Sequence, residues 1–477
     1  MSSRDQADIL VQRYASPEMV ELFSRERRIL LWRDLWIALA EAERELGVPI
    51  TKLQIDELKK KRERIDWVAA ERREREVRHD VMAHVYAYGL ECPKAAGIIH
   101  LGATSAYVTD NADLVLIREG LRIIAGKLAA AIDRLAAFAA KERDLVTVAF
   151  THFQAAQPTT VGRRACIWLQ NLAMDLDLLE FEMAELCFHG VKGATGTQDS
   201  FLKLFDGDKK KVLELDRKVT AKMGFTRSFS VTGQIYPRKT DTRIVSALAM
   251  ICESASKFAS DLRLLQGLHE IEEPREEGQI GSSAMPYKQN PMRCERISSL
   301  ARYVMNLVGN CYATGANQWL ERSLDDSANR RLVLPHAFLV TDAVLDLLIN
   351  VATGMRVHDG VIRKHMEEEL PFFQTEEILM AAVRAGGDRQ IIHERIQAHA
   401  KQAIKQIREK GAPNDLLARL RRDPAFRKVP PKLLVRADSA RLVGTSQEQV
   451  DAFLEEKVEP IRRRYRTAVR HRPTIRV

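Results

Sequence analysis

Apolar residues recur along this chain at helical spacing over unusually long stretches. In LWRDLWIALAEAERELGVP, Leu31, Leu35, Leu39 and Leu46 fall near one stripe, and Gly47 and Pro49 end the pattern. From Ala112 to about Arg143 the stripe runs through Val115, Leu121, Ile124, Leu128, Ile132, Leu135 and Phe138 without a proline. A helix of about 30 residues is about 45 Å long. The pattern returns from about Thr159 to Phe188, Lys239 to Glu270, Met292 to Ala313 and Ser327 to Val351. Five such helices, joined by polar or glycine-bearing loops, predict an all-α fold built on an elongated bundle. Alternating strand patterns are nearly absent, and no internal repeat is visible.

Before the bundle the helices are shorter and the charge denser, as in KKKRERIDWVAAERREREVRHD. After about His358 the pattern shortens again, and prolines enter at Pro430 and Pro431. These shifts divide the chain into an N-terminal helical domain, 1–104, a central long-helix domain, 105–357, and a C-terminal helical domain, 358–477.

Composition narrows the class without choosing a function. The 477 residues are 45% hydrophobic and 29% charged, as in a soluble globular protein. A net charge of +9 admits nucleic acid, acidic membranes or anionic small substrates. Much of the excess sits in RRRYRTAVRHRPTIRV, which reads as a solvated tail. Six cysteines (Cys92, Cys166, Cys187, Cys252, Cys294, Cys311) form no CxxC pair, which suits reduced thiols. The opening MSSRDQADIL has no apolar leader, and no run of about 18 apolar residues occurs. A cytoplasmic protein with no membrane attachment is expected.

Four segments could carry chemistry. His79 and His84 in HDVMAH are five residues apart, which turns their rings roughly 140° from each other on a helix and argues against a shared metal. Asp80 suits a helix cap, leaving His79 just before the N-terminus, where ligands meet backbone N–H groups. His152, in THFQAAQPTT, sits among amides on a polar turn before a long helix, a setting for a general acid or base. FHGVKGATGTQDSF has its glycines at GxxGxxG spacing after a helix, which excludes a dinucleotide fingerprint and leaves a mobile loop.

The fourth segment, GSSAMPYKQNP from Gly281 to Pro291, has no apolar periodicity at all. Its open backbone can present N–H groups to an anion, Lys288 adds charge, Asn290 adds an amide donor, and Pro291 opens the next helix. Such a set suits negative charge developing on a carboxylate or enolate. A serine here is a nucleophile or a proton carrier; the GxSxG elbow of acyl transfer is missing.

GSSAMPYKQNP is similar to the signature loop of the fumarase/aspartase superfamily, whose pattern is GSSxMPxKxNP. RHDVMAH, GIIHLGATS, THFQAAQ, GVKGATGTQ and LDDSANRR resemble the matching segments of one family within it, the adenylosuccinate lyases. MPYK and DDSANRR look like the animal-type branch. The likeness runs from RYASPEM, at Arg13, into the C-terminal helical region.

This resemblance implies a three-domain all-α fold and a cofactor-free, metal-free β-elimination in purine biosynthesis. Fumarate would leave adenylosuccinate, giving AMP, and SAICAR, giving AICAR. Carried over residue by residue, Ser282 is the base that removes a proton beside a carboxylate. Lys288, Asn290 and loop N–H groups stabilise the resulting aci-carboxylate. His152 is the acid that protonates the departing nitrogen, Glu295 orients it, and His79 lies near the substrate phosphate. Arg13, Tyr14, Arg78, Asp80, Thr104, Ser105, Gln234, Arg296, Arg322, Ser327 and Arg331 match binding positions. A phosphate and two carboxylates account for the arginines.

The family also implies a homotetramer in which three chains build each site, and the charge alone does not point to a nucleic-acid partner. Ala155 stands where the family usually has proline, and Gln289 where this branch commonly has a basic residue. Neither change removes a reacting group. The competing readings are another superfamily lyase, such as argininosuccinate lyase, a non-catalytic structural homologue, and RNA binding by the basic tail.

Overall fold

Long helices form where the sequence can bury a continuous stripe, and five of them dominate: Ser105–Lys141, Val161–Glu185, Lys239–Gly267, Met292–Ala316 and Asp326–Gly354. The protein is seen here as a computed structural model describing residues 8–475. The opening MSSRDQA, part of the stretch read as lacking a leader, and the last two residues of the basic tail lie outside them.

The helix predicted to begin at Ala112 begins at Ser105 instead. Its first two turns bury Tyr107, Asp110 and Asn111, polar residues that hide the helical stripe from a hydrophobicity reading. Asn111 illustrates why they can be buried: its amide donates to the carbonyls of Tyr107 and Gly190, at 2.8 and 3.0 Å. Farther along, alanines 125, 129, 130, 131, 136 and 139 are buried, which lets neighbouring helices approach closely. Gly162 serves the same end, because a Cβ there would lie 2.4 Å from the Ala139 carbonyl oxygen.

The Asp326–Gly354 helix is apolar and long enough to cross a membrane by composition. In the fold it is a core helix, with 83% of its most apolar window buried. Two of its buried acids share one cation: Lys127 Nζ lies 2.5 Å from Asp342 and 2.8 Å from Asp346. Buried charges persist only when paired in this way.

One core runs from Leu10 to Ile461 and includes both the first hundred residues and the five long helices. A second core, from Ile378 to Leu434, belongs to the C-terminal helices.

Three further expectations change. A two-stranded antiparallel hairpin, Val146–Thr151 with Gln154–Thr160, stands where no strand was expected. Pro158 and the bulge near Ala149 and Phe150 interrupt the alternation that would have revealed it. The basic tail is docked rather than solvated. Arg462 meets Asp133 at 2.7 Å, Tyr465 donates to Glu180 at 2.9 Å, and His471 reaches Asp346 at 3.1 Å. The glycine-bearing loop after Phe188 is likewise held, not free. Asp216 accepts from the Val191 N–H at 2.6 Å and pairs with Lys192 at 2.8 Å, while Gln198 donates to the Val191 carbonyl at 2.7 Å.

Candidate active site

Three helix N-termini, those of Asp80–Glu91, Ser105–Lys141 and Asp326–Gly354, open onto one cleft of about 750 Å³. Aligned backbone dipoles and unpaired N–H groups at such ends favour a bound anion. Arg78, His79, Asp80, Thr104, Ser105, Gln234, Arg322, Ser327 and Arg331 all line this cleft.

His79, not Asp80, caps its helix: Nδ1 accepts from the Met82 N–H at 3.4 Å. Asp80 is the first helical residue instead, and its Oδ2 takes Arg331 at 3.0 Å. With Nδ1 accepting, a neutral His79 ring carries its proton on Nε2, which stands 3.2 Å from Ser105 Oγ. Arg78 ends the preceding helix with φ +53°, a left-handed conformation that costs on the order of 1 kcal/mol for a side chain of this kind. Gln234 donates to the Ala194 carbonyl at 2.9 Å, tying the glycine-bearing loop to the cleft wall.

Beneath these residues lies a buried charge network. Arg238 pairs with Asp110 at 2.9 Å and with Asp326 at 2.8 Å. Arg330 pairs with Asp241 at 2.7 Å and Asp113 at 3.2 Å, and donates to the Tyr236 oxygen. Tyr236 in turn donates to Asp241 at 2.6 Å. Burial alone would raise the Asp110 carboxyl, but the Arg238 and Arg330 guanidiniums outweigh it and hold it below its ordinary value. Burial pushes Tyr236 well above the ordinary phenol value, so it remains a proton donor. These pairs join the Ser105, Lys239 and Asp326 helices, so they fix the spacing of the residues above.

Sequence reasoning missed that network, because each Asp or Arg reads singly as a surface charge on a helix. It also missed Arg28, whose partly buried side chain lines the cleft and has no ion pair among the described residues. Arg28 left no sequence signal, since it sits in the run RERR beside arginines that do pair.

The remaining predicted residues do not line this cleft. Arg13, Tyr14 and Arg296 share a small pocket elsewhere, with the Arg296 guanidinium 6.0 Å from the Tyr14 ring centre. Ser282, Lys288 and Asn290 lie on the exposed loop, and Glu295 is exposed in the first turn of the next helix. The loop is a closed turn: Asn290 donates to the Gly281 carbonyl at 3.0 Å, and Ser282 Oγ accepts from the Met285 N–H at 3.2 Å. Only glycine fits at 281, because a Cβ would stand 2.4 Å from the Lys288 carbonyl oxygen. Glu273, another residue without a sequence signal, anchors the loop's exit by accepting from the N–H groups of Arg293 and Cys294 at 3.0 and 2.9 Å.

His152 occupies the hairpin tip, exposed, and both it and Phe153 have positive φ, +53° and +55°. Asn-Gly is the usual choice for a tight hairpin turn of that geometry. Two bulky residues holding it store strain, and strain of this kind clusters at functional positions. At the tip the Phe153 ring packs against that of Phe150, 5.7 Å between centres.

Comparison with known proteins supplies the context. The family model described as Lyase matches residues 45–306, and the one described as Adenylosuccinate lyase C-terminus matches residues 371–453. The chain is 50% identical over 453 residues to the adenylosuccinate lyase of Schistosoma mansoni, covering 94% of each chain. It is 49% identical over 452 residues to that of Schizosaccharomyces pombe, again covering 94% of each. Among solved structures, the 3-carboxy-cis,cis-muconate lactonizing enzyme of Pseudomonas putida matches with TM-score 0.80 and 22% identity, over 95% of this chain and 99% of that one. The last match speaks for the fold alone.

Proposed function

Since the chain belongs to the adenylosuccinate lyase family, we propose that it releases fumarate from adenylosuccinate, leaving AMP, and from SAICAR, leaving AICAR. The observation that carries this reading is the cleft itself. It gathers Arg78, Arg322 and Arg331 around three helix N-termini, a setting for a phosphate-bearing substrate.

The reaction needs a proton removed beside a carboxylate and another delivered to the departing nitrogen. We assign the first to Ser282 and the second to His152, with Glu295 orienting the imidazole. Lys288 and the loop N–H groups face the charge that builds on the carboxylate, with Asn290 holding the turn closed through Gly281. His79, with Ser105 beyond it, sits at the phosphate end. Serine is a weak base in water, so Ser282 acts only in a closed site where donors already surround the developing charge.

Because Ser282, Lys288, His152 and Glu295 do not line the cleft of their own chain, the complete site is read as shared between copies. A homotetramer is supported by an apolar seam on the Val161–Glu185 helix. Ile167, Met174 and Phe181 recur every seven residues there and are 46%, 58% and 55% exposed. Such a stripe is a packing surface for further helices. The six free cysteines suit a reducing cytoplasm.

The direct test is to incubate the purified protein with adenylosuccinate and follow AMP and fumarate. Equimolar release of both is expected, and absence of turnover on either succinylated substrate would overturn the reading.

A further inference from the structure

A second groove, about 880 Å³, lies between the hairpin that carries His152 and the C-terminal helices. No residue assigned to the reaction lines it. Its rim carries Arg384, at the end of the Thr375–Arg384 helix, and Arg441. Neither side chain has an ion pair or hydrogen bond among the described residues. Arg163 joins them, steadied by a 2.7 Å bond from its Nε to Gln449 that leaves its two terminal nitrogens unused.

Thr159 supplies an independent sign of an absent ligand. The residue is 6% exposed, its Oγ1 is buried without a hydrogen-bond partner, and it lines the groove. The oxygen lies beside its cross-strand partner Thr147, whose hydroxyl is also buried and unpaired, and turning the Thr159 side chain about its Cα–Cβ bond would present the oxygen to the groove. A buried hydroxyl left unpaired costs about 1–3 kcal/mol, which an acceptor there would then recover. The Ser446–Phe453 helix also begins at this groove, adding backbone N–H groups at its end.

Two carboxylates limit what can bind. Glu376 accepts from Gln157 at 3.2 Å, and Glu377 stands beside it on the same wall. A ligand must therefore carry an anionic group for the arginines and hydrogen-bond donors for the glutamates. Phe373 and the exposed Met380 offer an apolar surface for its body.

We propose that this groove binds a phosphate-bearing small molecule. Its phosphate is taken by Arg384 and Arg441, an oxygen accepts from Thr159 Oγ1, and its hydroxyl or amino groups turn to Glu376 and Glu377. The site is separate from the catalytic cleft and does not depend on the reaction assigned there.

Inorganic pyrophosphate titrated calorimetrically into the full-length protein tests this. The parent protein should show one binding event that survives Arg331→Ala, a change confined to the catalytic cleft. Arg384→Ala/Arg441→Ala should weaken that event about thirtyfold or more, while kcat and KM for adenylosuccinate stay within twofold. Thr159→Val should weaken it severalfold without lowering the melting temperature, since it removes an unpaired buried hydroxyl. An isotherm for Arg384→Ala/Arg441→Ala that superimposes on the parent's would overturn the proposal. So would loss of all pyrophosphate binding in Arg331→Ala alone.

Discussion

Arg238 grips Asp110 through two nitrogens, at 2.9 and 3.1 Å, and each of the two side chains is only 2% exposed. The same guanidinium holds Asp326, the first residue of the helix that carries Ser327 and Arg331. One side chain therefore sets the distance between two walls of the cleft.

Removing that cation should be expensive for folding. Arg238→Met leaves Asp110 and Asp326 buried and facing each other without their shared counter-charge. A loss of about 3–5 kcal/mol is expected, read as a fall in the denaturant midpoint at fixed protein concentration. Arg238→Lys keeps the charge but not the two-pronged geometry and should lose less. Equal stability of Arg238→Met and the parent would show that the network is not structural.

Glu43 gives a pH dependence of known sign. Both its carboxylate oxygens are buried without partners, and burial raises its pKa from 4.5 to about 9. In the unfolded chain the group ionises near its ordinary value, so between there and about pH 9 the folded state holds one more proton than the unfolded state. Stability contributed by this group therefore falls as pH rises through that window and is fully present only below it. Glu43→Leu should remove the effect, gaining on the order of 3 kcal/mol over the parent at pH 7 and little near pH 4. The check is the denaturation midpoint of both proteins from pH 4 to pH 9, and a gap that does not widen with pH defeats the argument.

What the sequence made legible follows from which signals are local. The bundle could be read because helical burial repeats every few residues, and five stripes such as Val115 to Phe138 were long enough to be unmistakable. The loop Gly281–Pro291 could be read because a run without periodicity between two helices has to earn its place by chemistry. The hairpin could not, since Pro158 and the bulge remove the alternation that marks strands. Nor could the docking of the basic tail, whose partners Asp133, Glu180 and Asp346 lie in three different helices. The floor of the cleft was hidden for the same reason. Asp110, Arg238 and Arg330 acquire meaning only once three helices are brought together.

Ser282→Ala and His152→Ala test the two proton transfers. His152 is exposed and Ser282 half-buried, both on turns, so truncation opens no large cavity and the fold should survive. Loss of a positioned acid or base costs about 100- to 10,000-fold in rate. Steady-state kinetics on adenylosuccinate should show that loss in kcat, with far-ultraviolet circular dichroism and melting temperature unchanged. A folded variant with near-parental kcat would withdraw that role from its residue.

The sharing of sites between chains can be tested by complementation. His79 lines the cleft and His152 stands on a hairpin tip that does not, so under the tetramer reading the two reach one substrate from different copies. His79→Ala and His152→Ala proteins, each inactive alone, are mixed in equal amounts under conditions that let subunits exchange. Random assembly puts an intact His79 in half the sites and an intact His152 in half, independently. About a quarter of sites then carry both, and activity should rise towards about a quarter of the parent's. If instead one chain supplied both histidines, every site in the mixture would still lack one of them, and activity would stay at the level of the single variants. Native mass spectrometry of the mixture establishes that exchange has occurred. Mixed tetramers without recovered activity would therefore show that His79 and His152 do not come from different chains.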